Sequence, residues 1–182
     1  MRAVEIAFAV GWGAFWLYWL VAAFSMKRGK VPWSPELRIR SLIIIIVVIL
    51  VHSGIFPGHG LDSTPWRSAL ELGLFALGLG FAIWDRVHIG RNWGVPMTQR
   101  SEPELVTSGP CHLVRHPIYS GILVAGFGTA VALSWTWIIA VGLAGIYFLY
   151  SATAAERFVS EQFPDAYPAY KKSTKLLVPF IV

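Results

Sequence analysis

Charged residues are scarce in this sequence. They make up 14% of its 182 residues, whereas soluble domains carry about 25%. Hydrophobic residues make up 55%, and the mean hydropathy is +0.59. This balance excludes an ordinary soluble domain and predicts an integral membrane protein. Nine tryptophans and six tyrosines fit this prediction, because both residue types favour membrane–water interfaces.

Cysteine is nearly absent, and histidine is uncommon. The single Cys111 excludes an intrachain disulfide and a cysteine-rich metal site. His112 and His116 have the spacing of two metal ligands on a helix, but the flanking Pro110 and Pro117 disfavour a regular helix through both. Five histidines are too few for a membrane di-iron enzyme, and we predict no metal site.

An alternation of strands and helices is also missing, which excludes a Rossmann-type nucleotide-binding domain. Glycines recur instead within apolar segments, at Gly78, Gly80, Gly121, Gly126 and Gly128. Small residues let membrane helices approach closely, so we predict packing contacts at these glycines. Two ionisable residues fall in apolar segments as well. We expect Glu71 to reach the interface near Arg67 and His52 to bond a neighbouring helix, with a functional role as the alternative.

Long apolar runs are what the sequence has in abundance. A helix of roughly 20 mostly apolar residues crosses a bilayer. Five runs approach that length and predict five transmembrane helices, at 3–24, 39–56, 66–84, 118–133 and 135–152. The short link between the last two predicts a tight antiparallel hairpin. The first run ends without an A-x-A-like cleavage site, so we predict a retained helix rather than a signal peptide.

Basic residues lie almost entirely on one side of these runs. Thirteen of the 15 follow the first, third or fifth run, and the exceptions are Arg2 and Arg67. The positive-inside rule makes that side cytoplasmic, with the N-terminus outside and the C-terminus inside. The same placement explains the net charge of +5 and the pI of 9.6 without a nucleic-acid partner. It predicts contact with membrane lipids.

Residues 105–121, LVTSGPCHLVRHPIYSG, concentrate polar and turn-forming residues beside an apolar run. The SGP triplet at 108–110 predicts a tight turn, and Pro117 suits the first turn of a helix. Backbone N–H groups at such a helix start hold polar ligand groups, and Tyr119 adds a ring and a hydroxyl. We predict one wall of a small polar cofactor pocket here. Interfacial positive charge is the alternative.

The segment after the fifth run is too long for a simple tail. Residues 155–163 predict a short amphipathic helix, and PDAYP at 164–168 predicts a turn. The apolar stretch 176–182 is too short to cross a membrane and is expected to lie back on the bundle. Glu156 stands where the chain leaves the membrane, and we predict that it faces the pocket at 105–121. A solvated helix face is the alternative.

Three motifs together resemble the isoprenylcysteine carboxyl methyltransferase family, which is related to phospholipid methyltransferases. They are LVTSGP at 105–110, VRHPIYSG at 114–121, and Glu156 followed by FPDAYPAYKK at 163–172. The resemblance covers about residues 90–180. It implies an all-α integral membrane enzyme that uses S-adenosylmethionine, in a cytoplasmic pocket built from the loop before the fourth helix and the C-terminal tail. The expected substrate is lipophilic and enters from the bilayer.

The size of the chain predicts a single membrane domain over residues 1–182. Residues 1–85 would hold the first three helices, and residues 86–182 would form the methyltransferase-like core. Carried onto this sequence, the resemblance implies cofactor contacts at Leu105, Val106, His116, Pro117, Ile118 and Tyr119. Glu156 would sit at the junction of cofactor and substrate.

The chemistry of neighbouring residues extends this set. Gly109 and Pro110 belong to the predicted turn, and the Tyr150 ring is a candidate for cation–π attraction to a sulfonium. We expect Arg115 to act with Glu156 in catalysis by holding polar groups.

Two positions depart from the family, one at a cofactor contact and one at a substrate contact. The family often has tyrosine at the position of Cys111, and many members have arginine at the position of Ser151, where it holds a substrate carboxylate. Arg157 is not an obvious substitute, because it lies about 100° around a helix from Glu156. The methyl acceptor therefore stays open between a prenylcysteine-like carboxylate and a lipid amine, with Ser151 and Glu156 as the predicted acceptor contacts.

Two other functions are compatible with parts of this pattern. An NADPH-dependent membrane sterol-type reductase has a related segment, although such enzymes usually have more transmembrane helices. A non-catalytic membrane interaction protein that keeps the scaffold is the second. The sequence does not specify an oligomeric state.

Overall fold

The computed structural model describes residues 3–24, 29–30, 42, 64–90, 99–100, 104–134 and 137–178. Within these ranges the chain forms helices α1 (Ala3–Ala23), α2 (Pro65–Ile89), α3 (Pro117–Leu133), α4 (Trp137–Gln162) and α5 (Tyr167–Ser173), with a 3₁₀ turn at Gly109–His112. Two short strands, β1 (Gly29–Lys30) and β2 (Gln99–Arg100), pair antiparallel. Most of the described chain is therefore helical, as predicted, and an isolated parallel bridge joins Val114 to Lys175.

Helices α1, α2 and α4 are each long and apolar enough to cross a membrane, and α3 is a shorter apolar helix of 17 residues. The chain is thus an integral membrane protein. The first, third and fourth predicted helices correspond to α1, α2 and α3. The second, at 39–56, lies outside the described residues apart from Leu42, and so does His52.

The predicted end of the fifth helix at residue 152 is wrong. Helix α4 runs on to Gln162, so residues 155–163 do not form a separate amphipathic helix. The sequence ATAAERFVSEQ at 152–162 contains neither proline nor glycine, and the first helix-breaking residue is Pro164. The continuous helix carries Glu156 on the same rigid element as the transmembrane part.

Glycines allow α3 to pack closely against α2. A Cβ at Gly78 would lie 2.4 Å from a backbone nitrogen of α3, and one at Gly121 would lie 2.5 Å from the Gly78 carbonyl oxygen. Gly128 meets the α2 backbone at 2.8 Å in the same way. The predicted packing role is confirmed for these three, because only glycine permits this approach. Gly126 packs on α4 instead, and Gly80 has no described neighbour within 4 Å.

Aromatic side chains join α1 to the other helices. The Phe8 and Phe75 rings meet edge to face at 4.7 Å, and Phe15 is also buried in this core. The Trp12 indole N–H donates to the Thr129 hydroxyl at 3.1 Å, which links α1 to α3. Such rings supply close contact and polar anchoring between membrane helices, where the hydrophobic effect is weak.

Arginines fix the two ends of α2. Arg67 bonds Glu71 at 2.9 Å and donates to a carbonyl at the end of α3, so the predicted proximity of Glu71 to Arg67 is confirmed. At the other end, Arg86 donates to the Ala22 carbonyl oxygen at 2.9 Å. The C-terminal ends of α1 and α2 therefore lie together, and α3 begins at this same end of the bundle.

Candidate functional site

Residues 105–116, called the wall below, lead into α3 and include the turn predicted at 108–110. Gly109 adopts φ +60°, the left-handed region that favours glycine, and a Cβ there would lie 2.7 Å from the His88 ring. Pro110 and Pro117 are fully buried and fix the 3₁₀ turn and the start of α3. The turn and the helix start expected from the sequence are both present.

The C-terminal segment lies across this wall. Backbone N–H groups of Arg115 and His116 donate to carbonyl oxygens of the tail at 2.8 and 3.1 Å. The Tyr170 hydroxyl donates to the Cys111 carbonyl oxygen at 2.6 Å. Residues 176–177 are buried, which confirms that the start of the apolar tail lies back on the bundle. Residues 179–182 fall outside the described part.

Glu156 joins three segments of the chain. It is 6% exposed. Its Oε1 accepts a hydrogen bond from Arg115 Nε, and its Oε2 accepts one from Lys171 Nζ at 2.8 Å. Arg115 also donates to the Thr174 carbonyl oxygen. This ion-pair network holds α4, the wall and α5 together.

Tyr167 completes the surroundings of Glu156. Its hydroxyl bonds the Glu156 carboxylate, and the ring is 4% exposed. Burial first, and then the carboxylate beside it, raise the pKa of Tyr167 above its ordinary value. The hydroxyl therefore stays protonated and acts as a donor to Glu156.

Three stacked rings back the site on the side of the bundle. His116 stacks on Tyr119 at 5.5 Å, and Tyr119 stacks on Phe148 at 4.5 Å. The Tyr119 and Ser151 hydroxyls are 3.0 Å apart, and Ser151 is fully buried. Burial lowers the pKa of His116 to about 4, and Arg115 lowers it too, against an opposing effect of Glu156. The imidazole is therefore neutral at physiological pH.

A cavity of about 160 Å³ lies between these groups. Its lining includes five of the predicted site residues: Leu105, Val106, Arg115, His116 and Glu156. An adjoining groove of about 570 Å³ shares Leu105 and Tyr170 with it. Small-molecule sites usually measure about 300–1,000 Å³, so the cavity and groove together offer room for such a ligand.

Other predicted residues lie around the cavity rather than in its lining. Gly109, Pro110, Pro117 and Ile118 shape the turn and the first turn of α3, while Tyr119 and Ser151 pair behind His116. Tyr150 is 45% exposed and does not line the cavity. The structure therefore does not bring Tyr150 together with the rest.

Sequence reasoning missed Lys171, Tyr167 and Tyr170 as members of the site. A signal was present, because Tyr167 and Tyr170 are three apart and lie on one face of a helix. Lys171 gave no such signal, since basic residues are common throughout that tail. Among the described residues, no group of three or more His, Cys, Asp or Glu side chains is placed to hold a metal ion.

The structure is that of a helical membrane protein with a cavity lined by polar and aromatic residues at one end of its bundle. Residues 66–166 match the phospholipid methyltransferase family, which is more than half of the chain. The chain belongs to this family of membrane methyltransferases. The resemblance inferred from the three motifs is thereby confirmed.

Sequence identity to individual proteins is low. The chain is 33% identical over 139 residues to the cobalt-zinc-cadmium resistance protein CzcN of Cupriavidus metallidurans, covering 74% of this chain and 61% of that protein. It is 30% identical over 122 residues to heme A synthase of a Jannaschia species, covering 63% and 32%. It is 26% identical over 147 residues to methanethiol S-methyltransferase of a Pseudomonas species, covering 76% and 56%. The chain thus spans about three fifths or less of these relatives.

Proposed function

We propose that this chain transfers a methyl group from S-adenosylmethionine to a lipophilic acceptor held in the membrane. The observation that carries the proposal is the cavity between the 105–116 wall and α5, at the end of a membrane bundle of this family. Its lining suits a ligand with both polar and cationic groups, because it combines the Glu104 carboxylate with the Tyr167 and Tyr170 rings.

Leu105, Val106 and His116 are the proposed donor contacts, with Pro117, Ile118 and Tyr119 shaping the site behind them. S-adenosylmethionine supplies a methyl group on a positively charged sulfur. Its transfer depends mainly on alignment of the reactants and exclusion of water. The stacked rings of His116 and Tyr119 and the tail across the wall support such exclusion.

Glu156 and Arg115 have a proposed role in alignment. The Glu156 carboxylate is already bonded by Arg115, Lys171 and Tyr167. A carboxylate with three donors is a weak proton acceptor, because those bonds favour its charged form. We therefore propose that Glu156 fixes the walls and orients the acceptor, and that it does not remove a proton.

The acceptor is proposed to be uncharged at its reacting atom. Ser151 is neutral and bonds Tyr119, and the cations Arg115 and Lys171 both pair with Glu156. A carboxylate in a low-dielectric site needs its own cation. This favours a neutral lipid amine over a prenylcysteine-like carboxylate. The relative named methanethiol S-methyltransferase adds a thiol as a further candidate, which would enter uncharged and lose its proton to water before its sulfur attacks the methyl group.

The site is proposed to face the cytoplasm. The cavity lies at the end of the bundle that carries Arg157, Lys172 and Lys175. Positive residues favour the cytoplasmic side and approach anionic lipid headgroups there. This orientation puts the proposed donor site in contact with the compartment where S-adenosylmethionine is made.

The test supplies methyl-labelled S-adenosylmethionine to the purified full chain in vesicles of phosphatidylethanolamine, or with a prenylcysteine analogue, or with methanethiol. We expect label in the amine or thiol product and little in the carboxyl ester. Glu156→Ala is expected to lower turnover at least a hundredfold, whereas Lys172→Ala, an exposed neighbour of Lys171, keeps it. Turnover near wild type in Glu156→Ala would contradict the role of Glu156.

Binding measurements separate the proposal from its alternatives. We expect S-adenosylhomocysteine to bind and NADPH not to bind. NADPH binding alone would support a reductase, and binding of neither would support a non-catalytic membrane protein.

A further inference from the structure

We propose that Asp85, near the C-terminal end of α2, is a positioning residue for the donor cavity, a role that rests on the proposed function. Its side chain is 1% exposed. Its Oδ1 accepts a hydrogen bond from the Cys111 thiol at 3.2 Å. Cys111 lines the cavity, so a single bond connects Asp85 to the cavity wall.

The same carboxyl group reaches the start of α3. Pro117 is the first residue of that helix and has no N–H, so Ile118 offers the first backbone donor there. The Ile118 N–H interacts with Asp85. The N-cap residue His116 makes no side-chain capping bond. Asp85 therefore supplies a cap from a different helix, and a negative charge is favourable at this position.

Burial of the Asp85 carboxyl group costs free energy, so a side chain that only filled space would not need to be a carboxylate. Asp85 Oδ2 accepts no hydrogen bond from the described residues. A buried acceptor without a partner is unfavourable, and an apolar side chain would fill the same space without that cost. The carboxyl group instead bonds the cavity wall and the adjoining helix start. The geometry therefore points to a role of Asp85 in fixing the position of the cavity wall relative to the start of α3.

The end of α2 is a fixed support for this task. The neighbouring Arg86 is 3% exposed and donates to the Gly90 and Ala22 carbonyl oxygens. Arg86 thus ties the end of α2 to the end of α1, while Asp85 contacts the wall. Movement of the wall relative to the bundle is restricted at Asp85.

The test uses the single cysteine of the chain as a reporter. Cys111 is 4% exposed, and burial followed by the Asp85 charge raises the pKa of its thiol, so alkylation should be slow. In the full chain in detergent, we expect Asp85→Ala to speed N-ethylmaleimide alkylation about tenfold. We expect it to weaken S-adenosylhomocysteine binding about tenfold as well, which corresponds to about 1.4 kcal/mol. Asp85→Asn keeps an acceptor oxygen and should fall between.

Glu71→Ala is the matched control. Glu71 is a buried carboxylate at the opposite end of α2, 5% exposed and paired with Arg67. Its loss should destabilise the protein but leave both the alkylation rate and ligand affinity as in wild type. Equal effects of Glu71→Ala and Asp85→Ala would overturn the proposal, because they would indicate general loosening of α2.

The remaining outcomes also test the role of Asp85. If Asp85→Ala does not fold, Asp85→Asn is compared with wild type, and an unchanged alkylation rate and affinity would overturn the role of Asp85. If wild type binds no S-adenosylhomocysteine, the proposed function fails. The alkylation rate of Asp85→Ala relative to Asp85→Asn then still decides whether Asp85 holds the wall, because both variants remove the charge that raises the thiol pKa and only Asp85→Asn keeps an acceptor for Cys111. Equal rates in the two variants would overturn the positioning role.

Discussion

At the scale of the residue, the two cations on Glu156 differ in burial. The Arg115 side chain is 9% exposed and that of Lys171 is 52% exposed, while both reach the same carboxylate. Loss of one partner from a buried pair leaves an uncompensated charge and costs about 3–5 kcal/mol. An exposed pair contributes about 0–1 kcal/mol. Two cations on the same carboxylate therefore differ in how much they stabilise the protein.

The prediction is a ranking of three variants. Arg115→Met should lower the free energy of unfolding by about 3–5 kcal/mol, and Lys171→Met by about 1 kcal/mol or less. Lys172→Met, an exposed control, should match wild type. Denaturant titration in one detergent measures all three. Equal losses in Arg115→Met and Lys171→Met would show that burial does not set the strength of this network.

At the scale of the element, the α2–α3 contact depends on backbone approach. A Cβ at Gly121 would lie 2.5 Å from the Gly78 carbonyl oxygen and 2.8 Å from the Ala82 nitrogen. Backbone atoms cannot move aside as a flexible side chain does, so a methyl group there must separate the helices. This contact also sets the distance between Asp85 on α2 and the start of α3.

Gly121→Ala is therefore expected to destabilise the protein by about 1–3 kcal/mol, the usual cost of overpacking. The matched variant Gly80→Ala adds the same methyl group to the neighbouring helix where no described atom lies within 4 Å. It should be neutral or slightly stabilising, because alanine favours helix by up to about 1 kcal/mol over glycine. Thermal unfolding midpoints in detergent measure both, and a neutral Gly121→Ala would contradict the proposed close contact.

The boundaries of elements show where sequence reasoning succeeds and fails. Apolar length alone located α1, α2 and α3, and proline chemistry located the start of α3 at Pro117. Hydropathy falls after residue 152 and therefore predicts too early an end for the fifth helix. No helix-breaking residue occurs before Pro164. Hydropathy indicates which residues lie within the bilayer, whereas the end of a helix depends on backbone chemistry.

At the scale of the whole molecule, contacts between distant segments build the site. Glu156 meets Arg115 from 41 residues away, and Tyr170 meets Cys111 from 59 residues away. The motif at 105–121 could be predicted from its turn-forming residues, since those act locally. The Asp85–Cys111 bond and the placement of Lys171 could not, because they depend on how the helices pack.

The whole fold should also respond to pH through His116. Its pKa is about 4 in the folded protein, against an ordinary value of 6.5. The unfolded chain therefore binds more protons between these values, and stability falls as pH falls from 6.5 to 4. Above pH 6.5 the imidazole is neutral in both the folded and the unfolded state, so it does not make the free energy of unfolding depend on pH. The full shift corresponds to about 3 kcal/mol.

Unfolding free energies measured from pH 7.5 to 4 in one detergent check this expectation. His116→Gln should flatten the fall between pH 6.5 and 4, and His112→Gln, which replaces an exposed histidine four residues earlier, is the matched control. Carboxylates such as Glu156 also lose favourable pairing in acid, so a shallow slope should persist at the lowest pH in every variant. An unchanged slope in His116→Gln would mean that burial of this ring does not control the acid response, and the neutral imidazole at the cavity would lose its support.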